Sequence, residues 1–324
     1  MAWLIGLCGC AASPVAGTAA EGSRRPAPST MALLRGATSA HEHARSAADV
    51  ERLLATARRL GIERVVIVGS DRRTLEGQGE LYGGLDHNNA LLVAAAGQDP
   101  RVIPFAAVDP TRPAALARLE HWIDRGARGL KLYSGHALFY REPLDAPRAM
   151  ALYRLAEDRG LPLVFHVNTA RYGAEFERVL QQHRDLRVNC PHFCLQLTRP
   201  DRLRRWLERY PNLWLDVSFG FYVHQGFRLV SEDRGALRRL ILRHADRFLW
   251  SADLVVDETL DQAGIVAAWR AYLAMLAARE FEHEGRRYHG LDLPPAVVRQ
   301  ILVDNPRAWL GDAAKTKQNQ PAGR

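Results

Sequence analysis

The stretch "AADVERLLATARRLGIERVVIVGS", residues 47–70, contains one full unit of the pattern that organises the chain. Its first part places apolar residues at helical spacing, with Arg and Glu on the other face, and ends in the Gly that commonly follows a helix C-terminus. The second part, "RVVIVGS", is a short apolar, β-branched run of strand length. The same alternation recurs along the chain. Strand-like runs lie at 36–43, 64–70, 102–108, 128–134, 162–168, 187–193, 213–219 and 247–253, with amphipathic runs such as "RPAALARLEHWIDRG" and "APRAMALYRLAEDRG" between them. Eight βα units over roughly 250 residues are what a closed (β/α)8 TIM barrel of parallel strands requires. A doubly wound open sheet uses the same elements, and closure is invisible in sequence. The barrel is the expected fold, as one domain over 35–312 closed by a C-terminal helix in "PPAVVRQILVDNPRAWLG". The polar tail, 313–324, is expected to be disordered.

Composition allows a large core: 324 residues, of which 47% are hydrophobic. The net charge of +8 raises the question of nucleic acid, but basic residues are scattered beside acidic ones, with no patch carrying interleaved aromatics. A solvated, arginine-rich surface is the reading. Of 44 Lys and Arg only three are Lys, and Lys131 alone lies outside the tail. A lysine kept where arginine serves elsewhere suits a task guanidinium cannot perform, such as losing its proton or being carbamylated; chance retention is the plain alternative. Cys190 and Cys194 lack zinc-ribbon spacing and are expected as separate buried apolar residues.

The first 34 residues run from apolar to Ala-, Ser-, Gly- and Pro-rich, as an export signal and tether would. Leu7-Cys8-Gly9-Cys10 resembles a lipoprotein cleavage box, with Cys10 as the lipid anchor and a periplasmic or membrane-anchored location following from it. No Lys or Arg precedes the apolar run, so the other reading is an untranslated leader, synthesis from Met31 and a cytoplasmic protein. No other segment is apolar enough to span a bilayer.

Polar residues stand at the C-terminal ends of five candidate strands: His41 and His43 in the first, Lys131 in the fourth, His166 in the fifth, His192 in the sixth and Asp253 in the eighth. His41 and His43 are two apart, so on a strand they face the same way. Spacing alone does not establish a metal site, and each residue has an ordinary structural reading as a core histidine or a helix cap. A parallel barrel gathers all strand C-termini at one rim. Four imidazoles and a carboxylate would there suit Zn²⁺, Mn²⁺ or Fe²⁺.

"AHEH", "VFHVN", "CPHF", "RFLWSAD" and "ILVDNPRAWLG" together resemble the metal-dependent amidohydrolase superfamily, in its amidohydrolase-related branch (amidohydrolase family 2), over about residues 35–311. Ser39 and Ser251-Ala252 depart from its usual pattern. The resemblance implies His41, His43, His166 and Asp253 as ligands of one or two divalent ions, most simply zinc. It implies His192 as electrophile or auxiliary ligand, and Lys131 as a carbamylated bridge or, by preference, a group orienting an anionic substrate. A bound cation lowers the pKa of water from about 15.7 to about 7. Asp253 would then move protons while an amide, ester or lactone of a small molecule is hydrolysed.

The same branch contains nonoxidative decarboxylases, which are the alternative activity. A non-catalytic binding barrel is a third reading, separable by metal content. Substrate contacts are sought in Tyr133, His136, Asn168, Arg171, Tyr172, Tyr222 and His224, with Arg171 the best partner for a carboxylate. Related barrels often form homodimers. His87, His121, His183, His244, His283 and His289 are expected at the surface, and "DHNN" at 86–89 as a helix cap.

Overall fold

The computed structural model describes residues 31–70, 84–133 and 142–312. The leader and tail readings, and His136, lie outside these. The chain runs β1 (Thr38–Ala44), α1 (Ala47–Leu60), β2 (Arg64–Val68), α2 (Leu85–Gln98), β3 (Val102–Ala107), α3 (Ala115–Asp124), β4 (Gly129–Leu132), α4 (Pro147–Asp158), β5 (Leu163–Phe165), α5 (Thr169–Gln182), β6 (Val188–Cys190), α6 (Pro200–Arg209) and β7 (Leu213–Asp216). It continues through α7 (Val223–Glu232), α8 (Arg234–Arg243), β8 (Phe248–Leu249), β9 (Val255–Val256), α9 (Gln262–Ala277), a hairpin of β10 (Glu280–His283) and β11 (Arg286–His289), α10 (Pro295–Arg299) and α11 (Asn305–Leu310). Helix α1 shows why the opening stretch is legible. Ser46 and Asp49 form a reciprocal capping box, and Gly61 ends the helix at φ 75°. Such a cap is worth about 1 kcal/mol.

Nine parallel strands follow the order β8-β7-β6-β5-β4-β3-β2-β1-β9. The segment 248–256 supplies both ends: β8 pairs with β7, and β9 pairs with β1. Between them, Ala40 N–H donates to Trp250 O (3.0 Å), Asp253 N–H to His41 O (3.0 Å) and His43 N–H to Leu254 O (2.7 Å). The eighth strand position thereby joins the seventh to the first, so the fold is a TIM barrel and not an open sheet.

Side chains alternate across the barrel wall. Val65 and Ile67 join the core between strands and helices. Val66 and Val68 point inward with Ala40, Ile103, Phe105, Val164, Trp214 and Leu249. Trp309 of α11 packs at a tilt against Phe105, ring centroids 5.3 Å apart, and its Nε1 donates to Arg187 O (3.3 Å), immediately before β6. It therefore plugs the barrel at the strand N-termini and leaves the opposite rim for chemistry.

Several expectations are corrected. His183 is buried and its Nδ1 lies 2.7 Å from Glu157 Oε2, while His283 is buried on the unforeseen β10–β11 hairpin. Cys190 and Cys194 are not separate: they form a disulfide, because the chain after β6 doubles back and brings their Cα atoms to 4.9 Å. "DHNN" does not supply the cap of α2, whose N-cap is Gly84. No helix among the described residues is long and apolar enough to cross a membrane.

Candidate metal centre

The site begins with an irregularity in β1. Its register against β2 shifts between Ser39 and Glu42, as at a β-bulge, where one extra residue changes which side chains face which way. Ala40 is inward and Ala44 outward. The bulge lets His41 follow Ala40 into the lumen, with His43, while Glu42 turns outward beneath α9.

Both imidazoles are held by Nδ1 and present Nε2. His41 Nδ1 lies 3.3 Å from Asp216 Oδ2 at the end of β7. A carboxylate only accepts, so this contact places the His41 proton on Nδ1 and leaves Nε2 as the acceptor of Lys131 Nζ at 2.9 Å. His43 Nδ1 lies 2.6 Å from Ser70 Oγ, which donates onward to Val68 O (3.2 Å). Ser70 is fixed by Asn88, whose Oδ1 accepts from Ser70 N–H (2.9 Å) and whose Nδ2 donates to Ala44 O (2.8 Å). Asn88 thus ties the ends of β1 and β2 together.

Asp253 completes the cluster. Its Oδ1 lies 3.3 Å from His41 Nε2 and 2.9 Å from His43 Nε2, and one ligand atom from each of the three residues lies within 4.8 Å of the others. Donors sharing a tetrahedral cation with bonds near 2.1 Å stand roughly 3.4 Å apart, so the set fits a divalent ion. Asp253 adopts φ 54°, a left-handed conformation that its neighbours must enforce. Glu42 does much of this: Oε1 accepts from Ala252 N–H (3.2 Å), Trp269 Nε1 (2.8 Å) and Ser39 Oγ (2.5 Å), and Oε2 from Leu254 N–H (2.7 Å). Gly220, at φ 52°, passes so close that a Cβ there would collide with Asp253 Oδ2.

Burial, reinforced by Lys131, pushes the His41 imidazole down to about 4, and burial lowers His43 as well. Burial pushes the Asp253 carboxyl up, but the His41 and His43 imidazoles outweigh it and hold the group below the usual carboxylate range. At neutral pH the cluster is therefore neutral imidazole and carboxylate, the protonation state that binds metal. Burial pushes Lys131 down to about 8, so its amine is still mostly charged at pH 7.

His192 reaches the centre differently from the expectation of a strand residue. β6 stops at Cys190, and His192, Phe193, Cys194 and Leu195 form a left-handed turn with φ of 58°, 51°, 56° and 55°. L-residues disfavour a left-handed helix by roughly 1–2 kcal/mol each. His192 N–H donates to Asp216 Oδ1 (3.2 Å), its Nδ1 donates to Ser218 O (3.0 Å), and its Nε2 faces Asp253 Oδ2 at 3.5 Å. His166, directly after β5, is not a member of the His41–His43–Asp253 group; its ring stands edge-on to His192 at 4.8 Å.

Other candidates are placed as follows. Tyr133 is buried, donates to Gly69 O (2.9 Å) and lies under Lys131 Nζ at 4.6 Å. Asn168 caps α5 through Ala170 and Arg171 N–H. Arg171 is exposed and lies over the buried Tyr172 ring. Tyr222 is 71% exposed, and His224 engages Tyr288 and Glu284. The sequence reading missed Asp216, Glu42, Ser70 and Asn88. Asp216 had a signal, a lone carboxylate inside the apolar run 213–219; the other three act through contacts that no local pattern carries.

Solved structures share the fold. A TIM-barrel protein from Bordetella bronchiseptica is 21% identical, with TM-score 0.55 and 82% of each chain covered. A 2,6-dihydroxybenzoate decarboxylase from Rhizobium is 16% identical, with TM-score 0.54, covering 86% of this chain and 99% of that one. A probable 2-pyrone-4,6-dicarboxylic acid hydrolase from Acinetobacter baumannii is 16% identical, with TM-score 0.58, covering 85% and 99%. No protein of curated function matches the sequence. The amidohydrolase family model matches residues 48–311, starting just after the His41–His43 strand. With most of the barrel inside that match, the chain belongs to the amidohydrolase family, in its amidohydrolase-related branch.

Proposed function

We propose that this chain is a metal-dependent hydrolase that cleaves an ester, lactone or amide of a small anionic molecule. The observation carrying this is the division of labour within Asp253, whose Oδ1 faces His41 and His43 while its Oδ2 faces His192. One oxygen serves the ligand pair, and the other is free to take a proton. His41, His43 and Asp253 would hold the cation, most simply Zn²⁺, although Mn²⁺ and Fe²⁺ accept the same donors; His192 faces the second oxygen of Asp253, and the His166 ring packs edge-on to His192. The cation, when bound, supplies an acidified water and a polarised carbonyl.

Asp253 accepts a proton at Oδ2 and passes it toward His192 Nε2. Protonated there, His192 donates either to the carbonyl oxygen as charge develops or to the leaving group. Lys131, buried beside His41 and charged at neutral pH, attracts an anionic substrate group, and Arg171 offers a guanidinium at the start of α5. The Cys190–Cys194 disulfide supports an oxidising compartment such as the periplasm, which cell fractionation tests.

The same residues would also hold an aromatic or enoic acid for loss of CO₂, the reaction class named for the similarly folded Rhizobium enzyme. Metal-replete protein assayed on esters, lactones, amides and carboxylic acids separates the two. Hydrolysis with about one ion per chain is expected. CO₂ release with no hydrolysis selects the decarboxylase, and a metal-free, inert protein makes the barrel a binder.

A further inference from the structure

We propose that the Cys190–Cys194 disulfide is a positioning device that holds residues 192–195 in the left-handed turn from which His192 reaches the metal centre. The role of His192 rests on the hydrolase reading above; the conformational claim does not. The disulfide joins the last residue of β6 to the third residue of the turn and so brackets His192.

The turn needs a restraint, because four successive residues have positive φ and none is glycine. Hydrogen bonds hold its two flanks. Thr169 Oγ1 donates to Cys194 O (2.6 Å) and itself accepts from Gln196 Nε2 (2.7 Å), while Asp216 accepts from His192 N–H (3.2 Å). Within the turn, Cys194 N–H donates to Pro191 O (2.8 Å) and Gln196 N–H to Phe193 O (3.0 Å). The disulfide adds a covalent tie between the strand end and the interior of the turn.

Stabilisation by loop closure grows with loop length, and a separation of four residues lies at the short end. The effect of this bond is therefore local. Both cysteines are fully buried, so the bond serves as a permanent staple.

The test compares Cys190→Ser/Cys194→Ser with Cys190→Ser/Cys194→Gly/Leu195→Gly, in which glycine takes two left-handed positions without a bond. Leu195 is 46% exposed, so its loss leaves no cavity. The serine variant is expected to bind metal at wild-type stoichiometry, to lose about fivefold or more in kcat as His192 drifts, and to hold KM within about threefold. The glycine variant is expected to recover kcat. A serine variant that loses less than fivefold, or a glycine variant no better than it, overturns the proposal. Backbone carbon shifts of residues 192–195 decide the conformational claim even if no substrate turns over. They are expected to leave left-handed values in the serine variant and return in the glycine variant; shifts unchanged in the serine variant overturn it. Should the serine variant not fold, a folded glycine variant with native shifts supports the proposal, and an unfolded one overturns it.

Discussion

Asp216 Oδ2 lies 3.3 Å from His41 Nδ1, and Asp253 Oδ1 lies 3.3 Å from the Nε2 of the same ring. One imidazole thus spans two carboxylates, the first fixing its proton and the second sharing its lone-pair side. Asp216→Asn puts an amide where an acceptor-only group stood and lets the ring turn over. Partners of this kind are worth about 10- to 100-fold in metal affinity, and a loss of that size is expected in competition with a chelator. Wild-type affinity would show that Asp216 does not orient His41.

Glu42 holds both neighbours of Asp253, through Ala252 and Leu254 N–H, and also binds Trp269. Removing it strands buried donors at about 1–3 kcal/mol each. Glu42→Ala is expected to unfold at clearly lower denaturant and to bind metal weakly, with Glu42→Gln intermediate in both. An alanine variant with an unchanged denaturation midpoint refutes the assignment.

Gly220 needs its missing side chain twice over, for its positive φ and for its passage against Asp253. Gly220→Ala is expected to displace the Asp253 carboxylate and lower metal occupancy at least tenfold, with the fold retained by circular dichroism. Full occupancy in that variant would mean that the loop after β7 can move aside without cost.

His283 gives a pH signature away from the metal centre. Burial holds its imidazole below the usual value, against the opposing pull of Glu284. A depressed histidine contributes stability above its unfolded pKa of about 6.5 and loses it as pH falls through the folded value. The stability advantage of wild type over His283→Gln is therefore expected to shrink below about pH 6.5, measured by denaturant titration. An advantage that grows on acidification would reverse the sign.

The sequence by itself determined the alternation of β1 to β8 with their helices, since apolar periodicity is a local consequence of which faces must leave water. It also marked His41, His43 and Asp253, because polar groups at the ends of buried strands are costly unless used. Tertiary structure alone decided the rest. The β1 bulge that turns His41 inward, the closure through 248–256, the left-handed turn under His192 and the Cys190–Cys194 bond depend on contacts between distant segments. Glu42 and Asn88 belong to the same class: a buried acceptor or amide declares its purpose only once the groups it must satisfy have been folded against it.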